Sequence, residues 1–206
     1  MLVITGTGRS GTSLLIRTLA HAGIKTGPME PVFGEHVPAL AIDRAVLERR
    51  GYLPWTDLDA VAESVRARVL AVEAEALKDT ALCHTLDVWW RIRQDLRLIV
   101  CHRRLDKVTK SFLAAYPEGQ RELVPIGYPP SIGDVPHDSW MPLAFGLLMD
   151  VVIANRIPHG YFYFPDDIAD PNAAWDRLAF LLAPIIDRAA FAHALGAVAD
   201  PALVHW

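Results

Sequence analysis

The chain has 206 residues, 52% of them hydrophobic and 21% charged, with a formal net charge of −4. That length suits a single domain over residues 1–206 with a substantial core. The negative balance argues against a general nucleic-acid binder, which needs a basic field to displace counterions.

Taken in order, the chain opens on a short apolar run, Leu2-Val3-Ile4, that reads as a strand, and a helix is expected over 13–22, ended by Gly23. A polar loop with Gly and Pro, 25–36, follows, then a helix over 39–50 with Gly51 as its stop. Asp57 can cap a longer helix carrying Val61, Val65, Val69 and Val72 at helical spacing, which runs until Lys78-Asp79. A short helix is expected over 86–93. Leu96 to Cys101 is a mostly apolar run suited to a buried parallel strand. A helix over 106–116 ends at Pro117. The Pro- and Gly-rich stretch over 117–138 is expected to be a lid or acceptor loop. Asp138 or Ser139 can cap an apolar helix running to about Arg156. A strand over 161–164 and helices over 171–183 and 187–196 complete the pattern. Strands alternating with helices predict an α/β layer structure with a mostly parallel central sheet flanked by helices.

Cys83 and Cys101 lack metal or redox spacing and read as buried free thiols of a reducing compartment. The chain begins almost inside its first strand, and its longest apolar run, Trp140 to Ile153, is interrupted by Asp150 and short for a membrane span. The expectation is a cytoplasmic protein without a membrane or nucleic-acid partner.

Between the first strand and helix lies Gly6-Thr7-Gly8-Arg9-Ser10-Gly11-Thr12-Ser13. Glycines at such a turn let the backbone N–H groups approach an anion, and the helix N-terminus adds partial positive charge. Arg9 supplies a two-pronged cationic donor, and Ser10, Thr12 and Ser13 supply hydroxyls. The G-x-x-x-x-G-K-[ST] pattern is met at Gly6, Gly11 and Ser13, but Thr12 stands where a nucleotide kinase carries lysine. G-x-G-x-x-G is met at Gly6, Gly8 and Gly11, but Ile24 to Met29 is a poor second strand for a dinucleotide fold.

A second constellation follows the strand at Leu96: His102-Arg103-Arg104, with Ser111 eight positions after Arg103 on the next helix. A nucleotide-dependent ATPase places a Mg²⁺-holding acid at such a strand tip, and this strand ends in basic residues instead. Ligands bind at the carboxyl ends of parallel strands, so Arg103 is expected on the same edge as the Gly6 loop.

Arg9-Ser10-Gly11-Thr12-Ser13-Leu14-Leu15 resembles the 5′-phosphosulfate loop of the sulfotransferase family, and Arg103 with Ser111 matches the type and spacing of that family's 3′-phosphate element, with Leu105 at its Pro position. Lys78-Asp79-Thr80 is similar to its Lys-Asp-Pro element, and Pro165 to Ile168 to its Tyr-Glu-Asp-Leu segment. The resemblance implies a three-layer P-loop-like fold and a small bacterial-type member. It implies metal-independent transfer of a sulfuryl group from 3′-phosphoadenosine-5′-phosphosulfate to a hydroxyl or amine of a small-molecule acceptor, leaving adenosine 3′,5′-bisphosphate. Gly8, Arg9, Ser10, Gly11, Thr12 and Ser13 are then expected at the 5′-phosphate, and Arg103 and Ser111 at the 3′-phosphate. Arg9 is also expected at the transferring group. The general base is expected among Glu30, Glu35 and His36. Trp55, Trp89, Trp90, Tyr128 and Trp140 are candidates for an acceptor pocket, though such aromatics are more often core. Asp166 and Asp167 are expected in a turn leading into a helix. Two alternatives stay open: an ATP-dependent P-loop kinase-like phosphotransferase, and a nucleotide-binding domain without catalysis.

Overall fold

The structure is a computed structural model that describes residues 1–51, 57–115 and 137–199. Among these residues a four-stranded, all-parallel sheet of order β2-β1-β3-β4 is flanked by helices on both faces, the three-layer α/β arrangement of a P-loop-like fold. The strands are β1 (Leu2–Gly6), β2 (Ala76–Lys78), β3 (Arg97–His102) and β4 (His159–Tyr163). The helices are α1 (Thr12–His21), α2 (Val37–Arg50), α3 (Leu58–Leu70), α4 (Leu82–Ile92), α5 (Leu105–Ala115), α6 (His137–Asn155), α7 (Asp166–Ala169), α8 (Pro171–Leu182) and α9 (Arg188–Val198).

The period-two geometry of a strand sorts the sheet's side chains between two cores. Val3, Leu77, Leu98 and Val100 pack with residues of α2, α3, α4 and α6. Leu2, Ile4, Ala76, Ile99, Cys101 and Phe162 pack with α1, α8 and α9. All of β1 is buried, because it lies between β2 and β3 and is covered on both faces. Each of its large apolar side chains contributes about 1.5–3 kcal/mol through burial.

The helix expected from Asp57 to Lys78 is shorter than its sequence suggests. Asp57 does cap α3, its carboxylate accepting from Asp59 N and Ala60 N, but the helix ends at Leu70. The chain then turns and forms β2, pairing Leu2 with Ala76 and Ile4 with Lys78. Three residues are too few for an alternating pattern, and Glu73 and Glu75 just before them read as helix surface. The strand expected over 161–164 begins earlier, at His159, and Phe164 lies beyond its last residue. Most of the expected lid, 117–136, lies outside the described residues, while 137 and 138 open α6. The capping expectation for Asp138 and Ser139 falls on side chains outside the description. No helix of the described residues is long and apolar enough to cross a membrane.

Cys83 and Cys101 are buried free thiols. Burial pushes the Cys83 thiol up to about 12 and Cys101 higher still, so neither is a reactive thiolate near neutral pH.

Candidate functional site

The C-terminal tips of β1, β3 and β4 converge on the Gly6 loop. Gly6 (φ 139°) lies so close to β3 that a Cβ there would stand 2.4 Å from the Cys101 carbonyl oxygen, which admits no side chain. The loop turns through Arg9, held in the left-handed region (φ 66°), a conformation costly for a residue with a Cβ. Gly11 (φ 96°) then starts α1, and a Cβ on it would meet the Phe164 ring at 2.8 Å. The N-cap residues of α1, α4 and α7 give no side-chain cap, whereas α2, α3, α8 and α9 are capped by His36, Asp57, Asp170 and Asp187. The orphan N–H groups of α1 therefore face the loop at the positive end of the helix dipole.

Arg103 leaves β3 beside this loop. It is 7% exposed, its Nη1 donates to the Arg9 carbonyl oxygen at 3.3 Å, and its guanidinium carbon stands 4.9 Å from the centroid of the Phe164 ring. From the other side, Arg9 Nε donates to Ser111 Oγ at 3.1 Å. The Arg9 side chain thus bridges the loop to the Arg103–Ser111 element, 102 residues away in sequence. Burial, reinforced by the positive charge of Arg9, holds the Arg103 guanidinium below the usual arginine range. Two guanidinium groups that repel one another, beside an uncapped helix start, form an electrostatic surface suited to an anion.

The loop hydroxyls divide. Ser10, fully buried, donates to the Thr7 carbonyl at 2.5 Å and braces the turn, and Ser13 donates to the Phe33 carbonyl at 2.6 Å. Two of the three expected anion-facing hydroxyls therefore have internal partners, while Thr12 is 3% exposed at the first position of α1.

The three expected bases share the segment before α2 but sit in different settings. Glu30 is partly exposed, and its carboxylate accepts from Val32 N and Phe33 N, closing its own turn. Glu35 is buried, ion-paired with Lys78 Nζ at 2.5 Å, and accepts from Thr80 Oγ1 at 2.8 Å. Lys78 also donates to the Phe33 carbonyl at 2.8 Å, the acceptor Ser13 uses. His36 caps α2: its Nδ1 accepts from Ala39 N at 3.2 Å, and its Nε2 lies against Gly27, where a Cβ would approach to 2.5 Å. Burial lowers the His36 pKa, so the ring is neutral at pH 7 with its proton on Nε2.

Trp89 belongs to the core, with its indole N–H on Asp43, and Trp90 packs partly buried against it. Trp55 and Tyr128 lie outside the described residues, as does the side chain of Trp140. Asp166 and Asp167 are the first residues of α7 itself, with the turn expected there lying one step earlier, at Phe164-Pro165. The buried Asp167 carboxylate accepts from Tyr163 N at 2.7 Å and pairs with Arg177, fixing the end of β4. Phe164 has a place in the site that its sequence position does not reveal. Its one available signal is an aromatic residue just past a strand tip on the loop's edge of the sheet.

No protein-family model matches this chain, and no curated protein matches it.

Proposed function

We propose that the chain is a cytoplasmic sulfotransferase that moves a sulfuryl group from 3′-phosphoadenosine-5′-phosphosulfate to a hydroxyl or amine of a small acceptor. The observation that carries this reading is the junction of Arg9, Ser111 and Arg103 at the uncapped start of α1. It gathers the residues of the two resembling motifs into one cationic corner.

In this reading the first-turn N–H groups of α1 and Thr12 bind the 5′-phosphate, and Arg103 with Ser111 binds the 3′-phosphate. The acceptor oxygen or nitrogen attacks sulfur, the bond from sulfur to the 5′-phosphate oxygen breaks, and Arg9 offsets the charge that develops on the leaving oxygen. Sulfuryl oxygens carry less charge than those of a phosphoryl group, so fixed donors suffice where a kinase uses Mg²⁺. Glu30 takes the acceptor proton: of the three candidates it alone is partly exposed, while Glu35 is ion-paired and His36 holds a helix start.

Isothermal titration with adenosine 3′,5′-bisphosphate tests the proposal. Binding is expected to survive EDTA and to weaken at least about 10-fold in Arg103→Ala, the scale of one lost charge-assisted contact. Preference for ATP with Mg²⁺ over the bisphosphate would favour the kinase-like alternative. Binding without turnover of the sulfated donor on any acceptor would reduce the chain to a nucleotide-binding domain.

A further inference from the structure

We infer that Phe164 is a positioning residue that sets the distance between Arg103 and the start of α1, an inference that rests on the proposed donor site. The ring occupies the gap between two elements of that site. One edge fills the space a Cβ on Gly11 would need, with three ring and Cβ atoms at 2.8–2.9 Å from that point. The Arg103 guanidinium lies over the ring with its carbon 4.9 Å from the centroid. An aromatic face attracts a cation and also limits how closely it approaches, so this ring fixes a guanidinium in a plane that an aliphatic side chain leaves undefined.

Phe164 is itself held from behind. Its N–H donates to the His102 carbonyl at 2.8 Å, tying it to the residue that precedes Arg103. The preceding N–H, of Tyr163, donates to Asp167, which pairs with Arg177, and the Arg177 guanidinium carbon lies 5.2 Å over the Tyr163 ring. The backbone at the end of β4 is thereby anchored whatever side chain residue 164 carries. The phosphate loop touches the ring at Gly11, but it is also braced by Ser10 on Thr7 and Ser13 on Phe33. Removing the ring should therefore loosen Arg103 more than the loop, which keeps these two braces. Phe164 thereby acts chiefly on the 3′-phosphate end of the ligand, through Arg103.

Titration of the full chain with two probes, adenosine 3′,5′-bisphosphate and adenosine 5′-monophosphate, separates positioning from general support. Phe164→Leu is expected to weaken the bisphosphate about 10-fold and the monophosphate less than about 2-fold, and Phe164→Tyr to restore both. In an Arg103→Ala background Phe164→Leu should add nothing, since the group it positions is gone. Should Phe164→Leu fail to fold, Phe164→Met serves in its place, filling the gap without a π face. Equal weakening of both probes, or undiminished weakening in the Arg103→Ala background, would overturn the inference and leave the proposed function standing. Wild-type chain that binds neither probe would overturn both.

Discussion

Replacing Lys78 with methionine is expected to lower the unfolding free energy by about 3–5 kcal/mol, the cost of breaking a buried ion pair from one side. Lys78 and Glu35 are 3% and 5% exposed at their side chains, with nitrogen and oxygen 2.5 Å apart. Methionine fills most of the lysine's volume, so the loss is chiefly electrostatic. The Glu35 carboxylate keeps Thr80 as a donor but loses its counter-charge, and the Phe33 carbonyl loses the lysine while keeping Ser13. Urea unfolding reads the effect as a fall in midpoint at constant slope. Pairing Lys78→Met with Glu35→Gln should recover most of the loss, because no ionised group then remains in the pocket. A single-variant loss below about 1 kcal/mol would show that water reaches Glu35, and Glu35 would again compete with Glu30 for the role of base.

The position of Lys78 shows what was legible in the chain and what was not. The first strand, the loop and α1 are local: three apolar residues, glycines at fixed offsets and a helical run suffice to place them. Arg103 and Ser111 are legible for the same reason, a strand tip followed by a helix at a set spacing. β2 was not, because three residues between acidic neighbours carry no period, and the strand exists only by pairing with β1. The division of labour among Glu30, Glu35 and His36 was equally hidden, since it depends on Lys78 and Thr80 arriving from more than 40 residues away. Phe164 is the same case at the other edge of the loop. Its neighbours Gly11 and Arg103 come from two other strands' tips.

Asp43 did leave a trace. On α2 the buried positions Ala39, Ile42, Val46 and Leu47 form an apolar stripe, and Asp43 and Arg50 stand on it. A charged residue on such a stripe implies a partner supplied by another element. Arg50 finds Asp87, and Asp43 finds Thr85 and Trp89.

The Asp43–Asp79 pair leads to the second large expectation: Asp79→Asn should stabilise the fold at pH 8 by at least about 2 kcal/mol and change it little at pH 4. Both acids are buried (0% and 2% exposed), and two carboxylate charges close together there repel one another, so the fold favours a proton on the pair. Oδ1 of Asp43 accepts from Thr85 and Trp89, and Oδ1 of Asp79 accepts from Leu82 N, while among the described residues neither buried Oδ2 has a hydrogen-bond donor. Burial, then the charge of Asp43, with Glu35 adding to it, raises Asp79 well above the usual carboxylate range; burial raises Asp43 as well. Glu35 is itself paired with Lys78, and the charge of Asp79 reaches the Cys83 thiol, which stays protonated.

The sign follows from proton counting. Unfolded, Asp79 releases its proton near pH 4, whereas folded it keeps that proton to higher pH. Stability is therefore fully present below about pH 4 and falls by about 1.4 kcal/mol per pH unit until the folded pair also loses its proton. Asparagine supplies a permanent N–H to Asp43 and a carbonyl to Leu82 N, so the folded variant needs no proton. Urea unfolding of both proteins between pH 4 and 8 should give a falling curve for wild type and a flatter one for the variant. Parallel curves would mean that the two carboxyls ionise independently in the fold, and that the pair holds no shared proton.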